Sequence, residues 1–338
     1  MEAGAAPRWV ETTTREFPKK LPMQFDSKQT SYYYYALVVY LLKVENAKVV
    51  TVTGTPGIGK SVFYAYFLER YSYENEDITI ITASFAKTER SSTKDQVVVF
   101  KKGKAVAVVK DVQSAMDALI LETVDEAGDK LLYLCDGPPD QIPRAAQMVC
   151  FTSPSERCFD TLRKWPACPK LFMPLWDLDE LQTAAEVLNF HSDTTDTQGP
   201  ESIGDLIEQR YRIFGGVARE CLSTDENVAK ARQKEMERFI DQFPNEDNMG
   251  SLFNIAEAKV VQHGIGHYVP SSEDPAIYTL SLASEFVKRS LFERWNRLEN
   301  IKRTKVFRKL QGVSDAASFC DVLFDECEKA NRKASTEA

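Results

Sequence analysis

The apolar positions of this chain switch repeatedly between two periods. Val49 to Thr53, VVTVT, is a β-branched run, and beyond it Val62, Phe63, Tyr66 and Phe67 return at helical spacing. Further strands are predicted at Ile78–Ala83, Gln147–Phe151 and Lys170–Met173. The run KLLYLCD, Lys130 to Asp136, is apolar throughout until its closing acid, as in a parallel strand covered on both faces. Gln96 to Val109 places two β-branched runs around Lys101-Lys102-Gly103-Lys104 and predicts a hairpin. Between these lie helical patterns over Tyr32–Val44, capped by Ser31, over Asp111–Val124, through Arg157, Leu162 and Trp165, and from Asp177 to about Phe190. The five tyrosines of the first helical segment, Tyr32 to Tyr35 and Tyr40, are assigned mainly to core packing, with stacking of one of them near a nucleotide base as the alternative.

Strands alternating with helices give a three-layer αβα sandwich with a mainly parallel sheet. Residues 1–30, with Pro7, Pro18 and Pro22, form an irregular arm, and 31–190 form the α/β core. The polar stretch HSDTTDTQGPES marks a linker over 191–204. A mostly helical domain follows over 205–312, with runs at 205–212, 217–222, 228–243, 252–263 and 281–310, and a tail occupies 313–338.

The turn between the first strand and its helix carries the candidate chemistry. Gly54-Thr55-Pro56-Gly57-Ile58-Gly59-Lys60-Ser61 has the glycine spacing of a phosphate-binding loop, set between strand and helix as that motif requires. Glycines let backbone N–H groups converge on the α- and β-phosphates without obstruction. The helix that follows turns its positive end toward the same anion, so the backbone from Gly54 to Val62 is the expected cradle for ATP. Lys60 is expected to reach the β- and γ-phosphates, and Ser61 to hold Mg²⁺ together with Asp136 at the end of its apolar strand. Many hydrolases of this type carry a glutamate after that acid. Here Gly137, Pro138 and Pro139 follow, and Asp140 is the nearest candidate base, with an ordinary turn aspartate as the alternative. Thr152-Ser153 closes the next strand, where a polar γ-phosphate sensor or a simple strand cap would sit. Arg157 and Arg219 are candidate cations for transition-state charge, with surface arginines as the alternative.

Composition narrows the options. With 43% hydrophobic residues, the 338-residue chain can bury a sizeable core, and no apolar run approaches the ~18 residues of a membrane helix. Residues 1–22 are polar, with Arg8, Arg15, Lys19 and Lys20 and without the apolar stretch of a secretory signal. Seven cysteines with no CxxC fit reduced thiols inside a cell. His263 and His267 are four apart, but glycines at 264 and 266 and the absence of a following glutamate argue against zinc. A net charge of −8 argues against nucleic acid wrapping the whole surface. The window from Lys288 to Lys309 is the exception. Its nine basic residues against Glu293 and Glu299 leave +7, a stripe able to meet DNA or RNA phosphates or simply a solvated helix face.

Four ordered segments carry a family resemblance: VTGTPGIGKSVFYAYFL (52–68), LLYLCDGPP (131–139), FTSPSERCFDTLRKW (151–165) with FMPLWDLDEL (172–181), and RYRIFGGVAREC (210–221). Together they resemble the P-loop NTPase module of oomycete Crinkler effectors, shared with trypanosome retrotransposon hot spot proteins. The resemblance implies a STAND- or AAA-like ATPase with a helical domain after the core. It matches Gly215-Gly216-Val217-Ala218-Arg219 to a GGxPR stretch that senses nucleotide state, with Ala218 standing where proline is usual. It also implies secretion, entry into a host nucleus and a host protein partner. Phe319 to Cys327 resembles the start of the nuclease-like domain found in longer members, and the family's LFLAK translocation segment is absent from this sequence. The leading expectation is an ATP/Mg²⁺-dependent hydrolase acting as a slow switch. The competing ones are a non-hydrolysing nucleotide-binding scaffold, and a nucleic-acid-binding partner of a nuclease.

Overall fold

The computed structural model describes residues 30–87, 92–137, 139, 146–154, 168–190, 202–241 and 264–296. The arm before residue 30, Asp140, Arg157 with its expected helix, residues 191–201 of the linker, the 252–263 run, the basic run beyond 296 and the tail lie outside them. The chain divides into two compact units, one of residues 1–54 and 59–173, the other of residues 55–58 and 174–338.

The first unit is built on a seven-stranded sheet: β1 (Val49–Thr53), β2 (Thr79–Lys87), β3 (Ser92–Lys101), β4 (Lys104–Lys110), β5 (Leu131–Asp136), β6 (Gln147–Phe151) and β7 (Lys170–Phe172). The order is β4-β3-β2-β5-β6-β1-β7. The five strands from β2 to β7 run parallel, and the predicted hairpin, β3–β4, adds an antiparallel edge. Strand β5 lies second in the parallel set, between β2 and β6, and is buried from Leu131 to Cys135, which explains its unbroken apolar run. Edge strand β4 begins with three exposed residues, among them Lys104, as an edge facing water requires.

Helices cover both faces. Alternation along the strands sends Leu131, Tyr133 and Cys135 of β5 and Met148 and Cys150 of β6 to one side. There they pack with Met116 of α3 (Gln113–Ala127). Phe151, one residue out of step, faces the other side and meets Phe63 and Phe67 of α2 (Lys60–Glu74). Helix α1 (Thr30–Lys43) lies on that same side, with the Tyr35 ring against Tyr66 and Phe67. This is a three-layer αβα sandwich on a mostly parallel sheet. Ser31 falls inside α1 rather than capping it. Of the five tyrosines assigned mainly to packing, Tyr34 and Tyr35 are core residues and Tyr40 is exposed. The Tyr34 hydroxyl donates to Phe172 O at 2.5 Å. The Tyr35 hydroxyl donates to Glu74 at 2.5 Å, and the Arg70 guanidinium lies over the Tyr35 ring at 4.1 Å. Burial and then the Glu74 bond push the Tyr35 hydroxyl well above the usual phenol range, so it stays a donor.

The second unit contains α4 (Leu178–Val187), α5 (Ile203–Phe214), α6 (Ala218–Cys221), α7 (Glu226–Asp241), the hairpin β8 (Gly266–Pro270)–β9 (Tyr278–Leu282), and α8 (Glu285–Asn296). Asp177 and Glu180 form a reciprocal cap on α4, and Ser202 caps α5. The region is mostly helical as expected, and the hairpin is an element that the sequence reading did not anticipate. Ser281 and Leu282, expected to open a helix, close β9 instead, and the helix starts after Ser284, whose Oγ accepts from Val287 N at 3.2 Å. Among the described residues, no helix is long and apolar enough to cross a membrane.

Phe67 is fully buried where α1, α2 and β6 meet, its ring beside Tyr35, Phe63, Tyr71 and Phe151. Phe67→Ala should therefore cost about 3–5 kcal/mol, read as a lower urea midpoint by circular dichroism. An unchanged midpoint would contradict this packing.

Candidate functional site

Strand β1 ends at Thr53 and the phosphate-type loop begins at once. Gly54, Gly57 and Gly59 have φ of +140°, +90° and +98°, which side-chain-bearing residues rarely adopt. Gly59 is the N-cap of α2, with no side-chain cap, so the first N–H groups of the helix are left to another acceptor. This is the local geometry that an anion at a helix N-terminus needs.

Lys60 is buried, and its ammonium donates to Gly54 O at 2.9 Å across the loop. Ser61 is exposed, and its Oγ donates to Asp136 Oδ1 at 3.2 Å. The topology explains that meeting, because β5 and β1 flank β6 and their carboxyl ends point the same way. A hydroxyl and a carboxylate so close, both oxygen donors, suit a hard divalent cation such as Mg²⁺. Thr152 is buried at the end of β6, its N–H bonded to Val52 O at 3.0 Å and its hydroxyl to Ser153 O at 3.3 Å. Gly137, after the acid, has φ +109°, and a Cβ there would lie 3.1 Å from Phe85 Cβ. That backbone strains any glutamate at 137, which gives a physical reason for the missing base. Asp140 and Arg157 lie outside the described residues.

The tip of the loop, Thr55 to Ile58, belongs to the second unit and is tied to it by three hydrogen bonds. Tyr268 N donates to Thr55 Oγ1 at 3.0 Å, Arg219 N to Gly57 O at 3.0 Å, and Trp176 Nε1 to Ile58 O at 2.8 Å. Arg219 is thus placed beside the loop tip, but through its backbone, while its side chain is exposed. A Cβ on Gly57 would sit 2.7 Å from Val217 Cγ1, 3.1 Å from Glu220 Oε2 and 3.2 Å from Arg219 Cβ. Glu220 Oε2 is buried with no hydrogen-bond partner among the described residues, and its other oxygen is 3.7 Å from Arg232 Nε. Burial raises the Glu220 carboxyl above its ordinary range, against the pull of Arg232 and Arg219.

Buried Arg210 holds α6 from behind, donating to Cys221 O at 3.2 Å and Ser223 O at 2.5 Å and pairing with Glu226 at 2.6 Å. The GG pair is explained by crowding. A Cβ on Gly216 would lie 2.1 Å from Trp176 O, and one on Gly215 would lie 2.2 Å from Ala283 O. Trp176, Glu220 and Tyr268 are site residues that motif reading missed. Trp176 and Glu220 do lie within two of the segments that carry the family resemblance.

Two of the described cations of the basic window are already paired, Arg289 with Glu293 at 3.0 Å and Arg294 with Asp241 at 3.5 Å. Among the described residues no cluster of three or more histidine, cysteine or carboxylate side chains stands ready for a metal.

No family model and no curated protein matches the chain. Among solved structures it is similar to the Thermotoga maritima RuvB Holliday junction branch migration motor, at 13% identity over 71% of this chain and 74% of that one, with a TM-score of 0.32. It is also similar to the Aeropyrum pernix ORC2 protein in its ADPNP-ADP complexes, at 12% identity over 89% and 88%, with a TM-score of 0.30. Such distant likenesses carry no argument. The fold rests on the sheet order and the loop described above.

Gly216→Ala should destabilise the second unit by at least about 1–3 kcal/mol, because the obstructing atom is backbone and has little room to give. A thermal melt matching that of the unaltered chain would overturn this account of the GG pair.

Proposed function

We propose that the chain is an ATP/Mg²⁺-binding P-loop NTPase module that hydrolyses its nucleotide slowly, as a switch. The observation that carries this reading is the conjunction of a positive-φ glycine loop with Lys60 at its rim and Ser61 facing Asp136 at 3.2 Å. In this reading Lys60 leaves Gly54 O and donates to the β- and γ-phosphates, while the loop N–H groups and the open end of α2 take the remaining phosphate oxygens. Ser61 and Asp136 hold Mg²⁺, which neutralises phosphate charge when bound. Thr152 lies at the strand end next to that position and would contact the γ-phosphate or the attacking water on turning its hydroxyl away from Ser153. Arg219 would supply charge to the departing phosphate from α6. Asp140 is the proposed water-orienting base.

A second reading, a nucleotide-binding scaffold with negligible turnover, is supported by Gly137, where the backbone disfavours a glutamate base. The four resembling segments support a place among Crinkler-like effectors, with action in a host nucleus on a host protein as the corresponding proposal. The basic window from Lys288 to Lys309 supports a weak, salt-sensitive contact with DNA or RNA as an accessory role.

Calorimetry with ATP tests the main reading. Lys60→Ala should lower ATP affinity roughly 10- to 100-fold through loss of a charge-assisted contact. Asp136→Asn should leave metal-free binding nearly intact and remove the gain that Mg²⁺ brings. Equal ATP affinity in the unaltered chain and Lys60→Ala would sink the reading. Phosphate release with and without DNA then separates switch from scaffold. Asp140→Asn should lower turnover at least about tenfold while sparing affinity if Asp140 orients the water.

A further inference from the structure

The phosphate loop has an acid against its outer side. Glu220 Oε2 is buried, lacks a hydrogen-bond partner among the described residues and lies 3.1 Å from where a Gly57 Cβ would be, so the carboxylate abuts the α-carbon of a residue whose N–H belongs to the phosphate cradle. The contact is fixed from both sides. Arg219 N holds Gly57 O at 3.0 Å, and Arg210 holds the far end of α6 through Cys221 O and Ser223 O. Compensation for the charge is partial, from Arg232, Arg219 and the Glu220 backbone N–H, and burial outweighs it. Arg219 follows the same helix with an exposed side chain, and Arg232 of α7 lies 3.7 Å from the other oxygen while bonding more closely to Glu235. Those three are the charged groups facing Glu220 from its own helix and from α7, and the loop residue it touches has no ionisable side chain.

We propose that the Glu220 carboxylate is an electrostatic brake on the phosphate loop: charged, it weakens the loop's hold on a nucleotide's phosphates, and neutralising it tightens that hold. The inference rests on the phosphate-loop reading above. Like charges on the two sides of one glycine, in a site partly shielded from water, repel more strongly than they would in bulk solvent. Nucleotide binding then favours the protonated acid, and the raised affinity of Glu220 for a proton brings that form toward accessible pH. The sign follows directly. Lowering pH neutralises Glu220 and strengthens binding, and raising pH restores the brake.

The test is calorimetric titration of the full chain with Mg·ATP between pH 6 and 8, in buffers of different ionisation enthalpy. Glu220→Gln should bind about tenfold more tightly than the unaltered chain at pH 8 and should lose the part of the pH dependence that is not the phosphate's own. The unaltered chain should take up protons on binding, and Glu220→Gln should take up fewer. Arg232→Gln, which removes a neutralising cation, should move affinity the opposite way. A merely structural Glu220 would change the melting temperature without changing proton uptake. Affinity, pH slope and proton uptake that match between the unaltered chain and Glu220→Gln overturn the brake, and so does tighter binding by Arg232→Gln. In either case a loss of binding in Lys60→Ala leaves the phosphate-loop reading standing. Unchanged binding in Lys60→Ala overturns both.

Discussion

A backbone that must offer its N–H groups to an anion has to place its carbonyl groups somewhere else. In the phosphate-loop reading, that constraint organises the stretch around Gly57. The loop from Gly54 to Ser61 satisfies it with three positive-φ glycines and with partners on its outer side, Arg219 N for Gly57 O and Trp176 Nε1 for Ile58 O. The Thr55 hydroxyl accepts from Tyr268 N in the same way. Unpaired carbonyls in a buried loop would each cost roughly 1–3 kcal/mol, so these bonds are a condition of keeping the N–H groups free.

The constraint reaches far along the chain. Gly215 and Gly216 are glycines because Trp176 and Ala283 approach them too closely for a Cβ. Arg210 is buried because the end of α6 needs donors for the Cys221 and Ser223 carbonyls, and Glu226 neutralises the cation brought inside. A residue at 176, another near 219 and a strand at 268 therefore all serve eight residues near position 57.

How much of this was legible in the sequence depends on how local each cause is. Strands β1, β5 and β6 and helix α2 follow from runs whose period is set by burial on a sheet or a helix face. Ser61 and Asp136 could be paired from the motif, because strand-end position fixes both. The β8–β9 hairpin was hidden because five-residue strands within a helix-rich stretch give a weak period-2 signal. Trp176 and Glu220 were invisible as site residues for another reason. The Trp176 bond spans 118 positions, and nothing in the local pattern distinguishes an indole that holds a loop from one that fills a core.

Gly137 shows how one backbone angle limits chemistry. A catalytic glutamate there would have to adopt φ near +109° and press its Cβ against Phe85, while its N–H stays bonded to Phe151 O at 2.8 Å. The angle and the close contact conflict with an ordinary side chain, and relieving them means moving the end of β5, which also carries Asp136. The position that would orient water and the position that would hold the metal are therefore coupled through one strand end. A chain that keeps this turn keeps its metal-side geometry and must find its base elsewhere or do without one. Slow turnover is what the proposed switch requires, and a strand end that disfavours a glutamate at 137 is compatible with it.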